Sequence, residues 1–177
     1  ASVIAYLHDQ PDVDSNRIGL YGKSAGTGIS LEYAAGHPNQ IQSIALWGTP
    51  LTYSQWFLSH KADDFFEHVF WSRNISVNKE RFCQHFSDPI TYVSQVTQPL
   101  LIACPAPDPY APSPVAPDKW TTPEEQLQLL SYSIQSRSAQ VAIIKGAVHT
   151  MYSDLPKFDE YAQLLVNWFQ TTLTPSS

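Results

Sequence analysis

Residues 21–28 read YGKSAGTG, and how these glycines, lysine and serine are used decides the fold. Gly22-Lys23-Ser24 has the form of the tail of a phosphate-binding loop. Such a loop needs a glycine five residues ahead of its Gly-Lys pair; that position holds Arg17, and Gly19 stands at the wrong spacing. A dinucleotide fingerprint fails as well, because no G-x-G-x-x-G can be laid over these glycines. Gly22-Lys23-Ser24-Ala25-Gly26 does satisfy G-x-S-x-G, which moves attention from the lysine to the serine.

The flanks carry the physics. Residues 17–21 (RIGLY) form a short apolar run that reads as a buried strand, and 24–35 fit a helix stopped by Gly36 and Pro38. A sharp strand-to-helix turn lifts a serine oxygen clear of a sheet and strains the serine backbone, while glycines on either side make room for the turn. The helix N-terminus adds a positive dipole end, and the Ala25 amide is placed to donate to an oxyanion. Ser24 is therefore the expected nucleophile and Ala25 half of the expected oxyanion hole.

Outward from this motif the pattern repeats. Val3, Ile4 and Leu7 lie at helical spacing before Pro11. After RIGLY, three further apolar runs read as strands: IQSIALWG (41–48), QPLLIAC (98–104) and AQVAIIKG (139–146). Short apolar strands alternating with helical stretches indicate βα units and a parallel sheet, so the fold class is α/β. Residues 51–98 are rich in aromatics (Trp56, Phe57, Phe65, Phe66, Phe70, Trp71) without strand alternation and read as a helical insertion. Six prolines crowd residues 105–120 and leave a loop there. Thr122-Pro123-Glu124-Glu125 is a capping box that opens a helix through Leu127, Leu130 and Ile134. A terminal helix places Phe158, Tyr161, Leu165 and Trp168 on one face.

A nucleophilic serine needs a base and an orienting acid. In a sheet of this kind they follow later strands, in the order Ser, then Asp or Glu, then His. His149 follows the last strand and Asp108 follows the third, so both fall where parallel strands end. Asp118 is a second candidate for the acid.

Composition narrows the remaining classes. The chain has 177 residues, 43% of them hydrophobic, enough for one sizeable core. Ten basic and sixteen acidic residues give net −6 with no run of like charge, which excludes a nucleic-acid footprint or a membrane-surface patch. The apolar runs are too short to span a bilayer. Cys83 and Cys104 cannot make a disulfide framework and read as small buried hydrophobes. His60, His68, His85 and Cys83 match no metal motif, and the acyl chemistry needs no cofactor.

VDSNRIGLYGKSAGTG (13–28) resembles the elbow region of the dienelactone-hydrolase and peptidase-like branches of the α/β-hydrolase superfamily, where a vD-x-x-RIg-x-x-G-x-S-x-GG pattern recurs. KGAVHTMYSDLPKFDEYAQLLVNWFQTTL (145–173) is similar to YcjY-type and fungal polyketide-transferase-like hydrolases, which show GgHfd-x-Y and then a helix ending wf-x-x-hL. The resemblance spans nearly the whole chain and is weakest over 51–98. It implies Ser24 as nucleophile, His149 as base and Asp108 as acid. Thr27 stands where the pattern has the first glycine of a pair, and the acid loop lacks the usual G-x-x-D.

The resemblance also implies that the elbow follows a fifth strand, whereas here it comes at once. The expectation is the C-terminal part of an α/β-hydrolase fold, with 1–50 and 99–177 as a partial core and 51–98 as a helical cap. The loop giving the second oxyanion donor, and the strand covering the first strand's edge, then come from a preceding segment or from a second chain. The expected partner is a small acyl substrate: an ester, a thioester or a related bond cleaved through an acyl-enzyme. The rival readings are an acyltransferase or carbon–carbon bond hydrolase acting on a polyketide-like substrate, and a catalytically silent binding module.

Overall fold

Continuous apolar runs form the inner strands and so call for a layer on each face of the sheet. In the computed structural model, which describes residues 2–58, 63, 66–67, 70–85, 88–106, 121–149 and 155–174, the strands are β1 (Gly19–Lys23), β2 (Ser43–Trp47), β3 (Leu100–Ala106) and β4 (Ala139–Lys145). They pair in parallel, in the order β1-β2-β3-β4. The register runs from Gly19 opposite Ser43 to Lys23 opposite Trp47, then Ile44 opposite Leu100, and Leu100 opposite Ala139. Every residue of β2 is buried, as befits a central strand covered on both faces. The outer strands β1 and β4 are mixed, with Tyr21 and Ile143 exposed.

Period-2 geometry divides the core. Ile44 and Leu46, with Leu100 and Ile102, face a cluster holding Leu31, Ala34, Val93, Val96 and Leu129. Ala45 and Leu101 face Trp168 on the other side, and Trp47 and Ala103 face Ile144 and Tyr161. The described helices are α1 (Ser2–His8), α2 (Ala25–Gly36), α3 (Tyr53–Leu58), α4 (Lys79–Cys83), α5 (Pro89–Val93), α6 (Pro123–Tyr132) and α7 (Leu155–Thr172), of which α1, α2, α5, α6 and α7 contribute to these sheet cores. The order β1–α2–β2 and β3–α6–β4 is the crossover pattern that a parallel sheet requires.

Between β2 and β3 the described elements are α3, a 3₁₀ turn at Trp71–Arg73, α4 and α5. Tyr53, Phe57, Phe66 and Cys83 form a cluster separate from the sheet cores. Their rings meet edge-on, Phe57 to Phe66 at 5.7 Å and Phe57 to Phe82 at 5.1 Å between centroids. Lys79 sits over the Phe66 ring, 5.2 Å from its centroid. Val93 and Val96 instead join the sheet core beside α2. Cys83 and Cys104 are both buried thiols.

Two details of the helices differ from expectation. The capping box forms: Thr122 Oγ1 accepts from the Glu125 N–H and Glu125 Oε2 from the Thr122 N–H. The helix ends at Tyr132, however, and Leu127 and Ile134 are exposed; the buried face is Gln126 and Leu129. Gln126 is tolerated inside because its Nε2 donates to the Thr49 carbonyl at 2.7 Å. In α7, Tyr161 and Trp168 are buried, and Trp168 Nε1 donates to the Ile44 carbonyl at 3.0 Å. Phe158 is 43% exposed: it lies in the first turn of α7, a turn ahead of Tyr161, where the helix begins its contact with Trp47 and the sheet. Among the described residues, no helix is long and apolar enough to cross a membrane.

Candidate functional site

Ser24 is the single residue between β1 and α2, and its backbone lies at φ 52°, ψ −120°. An L-residue with positive φ is uncommon and costs energy, so its surroundings must hold it there. Its N–H donates to the Trp47 carbonyl at 2.9 Å, continuing the β1–β2 ladder by one bond. Its carbonyl accepts from the Thr27 N–H at 3.0 Å, from Thr27 Oγ1 at 2.6 Å and from the Tyr53 hydroxyl at 2.6 Å. Gly22 lets the turn close: a β carbon there would lie 2.7 Å from the Gly26 carbonyl oxygen and from Ser30 Oγ. The second glycine of the motif is under no such pressure, since a β carbon on Gly26 meets nothing within 4 Å. Ala25 is the first residue of α2, so its N–H has no acceptor inside the helix.

His149 lies four residues beyond β4, after a turn at Gly146 with φ 77°. Its carbonyl accepts from Trp47 Nε1 at 2.9 Å. Its ring lies against Gly48, which follows β2 at φ 61°; a β carbon there would be 2.6 Å from His149 Nδ1. The loop after β4 thus reaches past β3 to the end of β2, beside the strand that carries Ser24. Trp47 holds both sides, its carbonyl bonding the Ser24 N–H and its indole the His149 carbonyl. Burial, with the Lys23 ammonium as a second cause, lowers the His149 imidazole from its ordinary 6.5 to about 4. The ring is therefore neutral at neutral pH, the form in which it accepts a proton.

The structure brings Ser24, Ala25 and His149 to one end of the sheet. Asp108, two residues along the chain from the end of β3, lies outside the described residues, as do Asp118, His60, His68 and most of the proline-rich loop. Among the described residues, no group of three His, Cys, Asp or Glu side chains is placed to hold a metal ion. Trp47, Gly48 and Tyr53 went unnoticed in the sequence. Gly48 carried a faint signal, a glycine closing an apolar run; Trp47 and Tyr53 carried none, being aromatics among aromatics.

Neither a family model nor a curated protein matches the sequence. Solved structures do match. An acylaminoacyl peptidase from Pyrococcus horikoshii aligns with 99% of this chain and 27% of its own, at 16% identity and TM-score 0.67. An esterase from Pyrococcus furiosus aligns with 97% of this chain and 59% of its own, at 13% identity and TM-score 0.65. A dienelactone hydrolase from Anabaena variabilis aligns with 97% of this chain and 56% of its own, at 20% identity and TM-score 0.58. The chain therefore spans between about a quarter and three fifths of the length of these proteins.

Proposed function

From the α/β-hydrolase fold that this chain shares with those structures, we propose that it is a hydrolase that cleaves an ester, thioester or related acyl bond through an acyl-enzyme on Ser24. The observation that carries this is the Ser24 backbone at φ 52°, ψ −120° between a parallel strand and its helix. A strained serine between strand and helix is the geometry of a nucleophile elbow, and a peptidase, an esterase and a dienelactone hydrolase share the fold around it.

In this reading Ser24 Oγ attacks the substrate carbonyl carbon as neutral His149 takes the hydroxyl proton. The carbonyl electron pair moves onto oxygen, and that oxyanion accepts from the Ala25 N–H. The intermediate collapses, the leaving group takes the proton from His149, and the acyl group stays on Ser24. Water then repeats the cycle in reverse order, with His149 again as base. Asp108 serves as the acid that holds the imidazole tautomer. In a site of this kind a second N–H completes the oxyanion hole. A single missing donor costs about 10²–10³ in turnover. The segment after β2, whose Tyr53 reaches the Ser24 carbonyl, caps the site in this reading, and any of its rings that line the pocket would favour an apolar acyl group.

Intact mass before and after a fluorophosphonate, with Ser24→Ala as control, tests the reading. One adduct that disappears in the variant supports an activated serine. A folded natural chain that takes no adduct overturns it in favour of a silent binding module. Hydrolysis of a p-nitrophenyl ester in the presence of an added amine or alcohol then separates water from other acceptors.

A further inference from the structure

We propose that Tyr53, from the segment after β2, aims the oxyanion donor: by donating its hydroxyl to the Ser24 carbonyl it fixes the rotation of the Ser24–Ala25 peptide, and with it the direction of the Ala25 N–H. This rests on the reading of Ser24 as nucleophile. A peptide unit is planar and trans, so a carbonyl and the N–H of the next residue point opposite ways from one rigid plate. Holding one end aims the other.

The carbonyl end is held by three donors. Two belong to Thr27, within the first turn of α2 itself. The third arrives from 29 residues further along the chain, the Tyr53 hydroxyl at 2.6 Å. Tyr53 is 3% exposed, and burial raises its phenol above the ordinary 10, so the hydroxyl keeps the proton it donates. The same hydroxyl oxygen accepts from the Gly28 N–H at 3.3 Å and lies 3.0 Å from Thr27 Oγ1.

Tyr53 is itself anchored. Asp88 Oδ1 accepts from the Tyr53 N–H at 2.6 Å and the Ser54 N–H at 3.1 Å, and Asp88 Oδ2 accepts from Ser54 Oγ at 2.8 Å. The Tyr53 ring stacks on Phe57, 5.9 Å between centroids. A continuous path therefore runs from Asp88 through Tyr53 and the Ser24 carbonyl to the Ala25 N–H. Donors on a carbonyl also polarise its amide and strengthen the N–H at the other end. Tyr53 touches no reacting atom in this scheme; it is a positioning residue.

Tyr53→Phe keeps the ring and removes only the hydroxyl. Thr27→Val removes the other hydroxyl from the same carbonyl and serves as the second variant should Tyr53→Phe not fold. The natural chain and both variants are compared by p-nitrophenyl ester turnover, by inhibition with an alkyl trifluoromethyl ketone, and by thermal unfolding. The ketone takes Ser24 Oγ onto its carbonyl carbon and places an alkoxide where the oxyanion forms. In Tyr53→Phe, kcat and ketone affinity are expected to fall together by about tenfold, KM staying within about twofold, because only the donor to the oxyanion is misaimed. Unchanged kcat and ketone affinity, in a protein whose turnover depends on Ser24, overturn the inference and leave the acyl-transfer reading standing. A fall that only tracks loss of folded protein, with ketone affinity intact, also overturns it. A natural chain that neither turns over ester nor is labelled at Ser24 overturns both.

Discussion

The His149 ring and Gly48 are packed so closely that the glycine has no room for a side chain: its β carbon would lie 2.6 Å from Nδ1 and 2.7 Å from Cε1 of the imidazole. Gly48 also takes a positive φ of 61°, so both its space and its backbone favour glycine. In the proposed reaction, Gly48→Ala is expected to lower ester turnover by about 10²-fold by displacing the ring, since misplacements of about 1 Å cost on that order. The backbone strain should cost only about 1–2 kcal/mol of stability. Ester turnover set beside thermal unfolding checks this; wild-type turnover in Gly48→Ala would show that the ring is not held by this contact.

The two glycines of the G-x-S-x-G motif should behave differently. Gly22→Ala forces a β carbon against the Gly26 carbonyl and Ser30 Oγ and should destabilise by about 1–3 kcal/mol, as overpacking does, with loss of Ser24 labelling. Gly26→Ala meets nothing and should be neutral, or stabilising by up to about 1 kcal/mol through helix propensity. Chemical denaturation of both variants gives the comparison, and equal losses would contradict it.

As the base of the proposed reaction, His149 should work at unusually low pH. Burial, then Lys23, lowers His149 to about 4, so the acid limb of kcat/KM is expected near pH 4 rather than 6.5. Lys23→Met removes the ammonium and should move that limb upward. The linkage to stability has a definite sign. A histidine whose folded pKa is depressed binds its proton more readily unfolded, so its contribution is full above about pH 6.5 and is lost as pH falls toward 4. A pH–rate profile with its acid limb at 6.5 would show that burial and Lys23 do not depress the imidazole during turnover.

Trp47→Phe should uncouple the histidine side of the site from the serine side. The Ser24 N–H still finds the carbonyl of residue 47, but the indole donor to the His149 carbonyl is gone. Turnover should drop about tenfold, and stability by about 1–3 kcal/mol because Trp47 is fully buried. Comparison with Trp168→Phe, which removes the donor to Ile44 instead, separates the two effects: both should lose stability, but only Trp47→Phe should lose turnover per folded molecule.

Much of the scaffold was legible in the chain because local rules govern it. The four apolar runs became the four strands, although β1 is Gly19–Lys23 rather than 17–21, running two residues closer to the elbow. The Thr122–Glu125 capping box could be read directly, since all its atoms lie within four residues. The same helix shows where local reading stops. Of Leu127, Leu130 and Ile134, which marked the helix in the sequence, Leu130 packs partly on the core while the other two are exposed; the buried face is Leu129 with Gln126, whose amide meets the Thr49 carbonyl. A hydrogen-bond partner 77 residues away leaves no trace in hydrophobic periodicity.

The sequence by itself determined the α/β class, the elbow at Ser24 and the position of His149 at a strand end, because periodicity, turn chemistry and motif spacing act over a few residues. Only the tertiary structure decided what surrounds them. That Trp47 bonds both Ser24 and His149, that Gly48 seats the imidazole, and that Tyr53 grips the Ser24 carbonyl all depend on atoms brought together from distant parts of the chain. The physical reason is that a strained turn and a buried imidazole are stabilised by groups that meet only when the parallel strands align their ends.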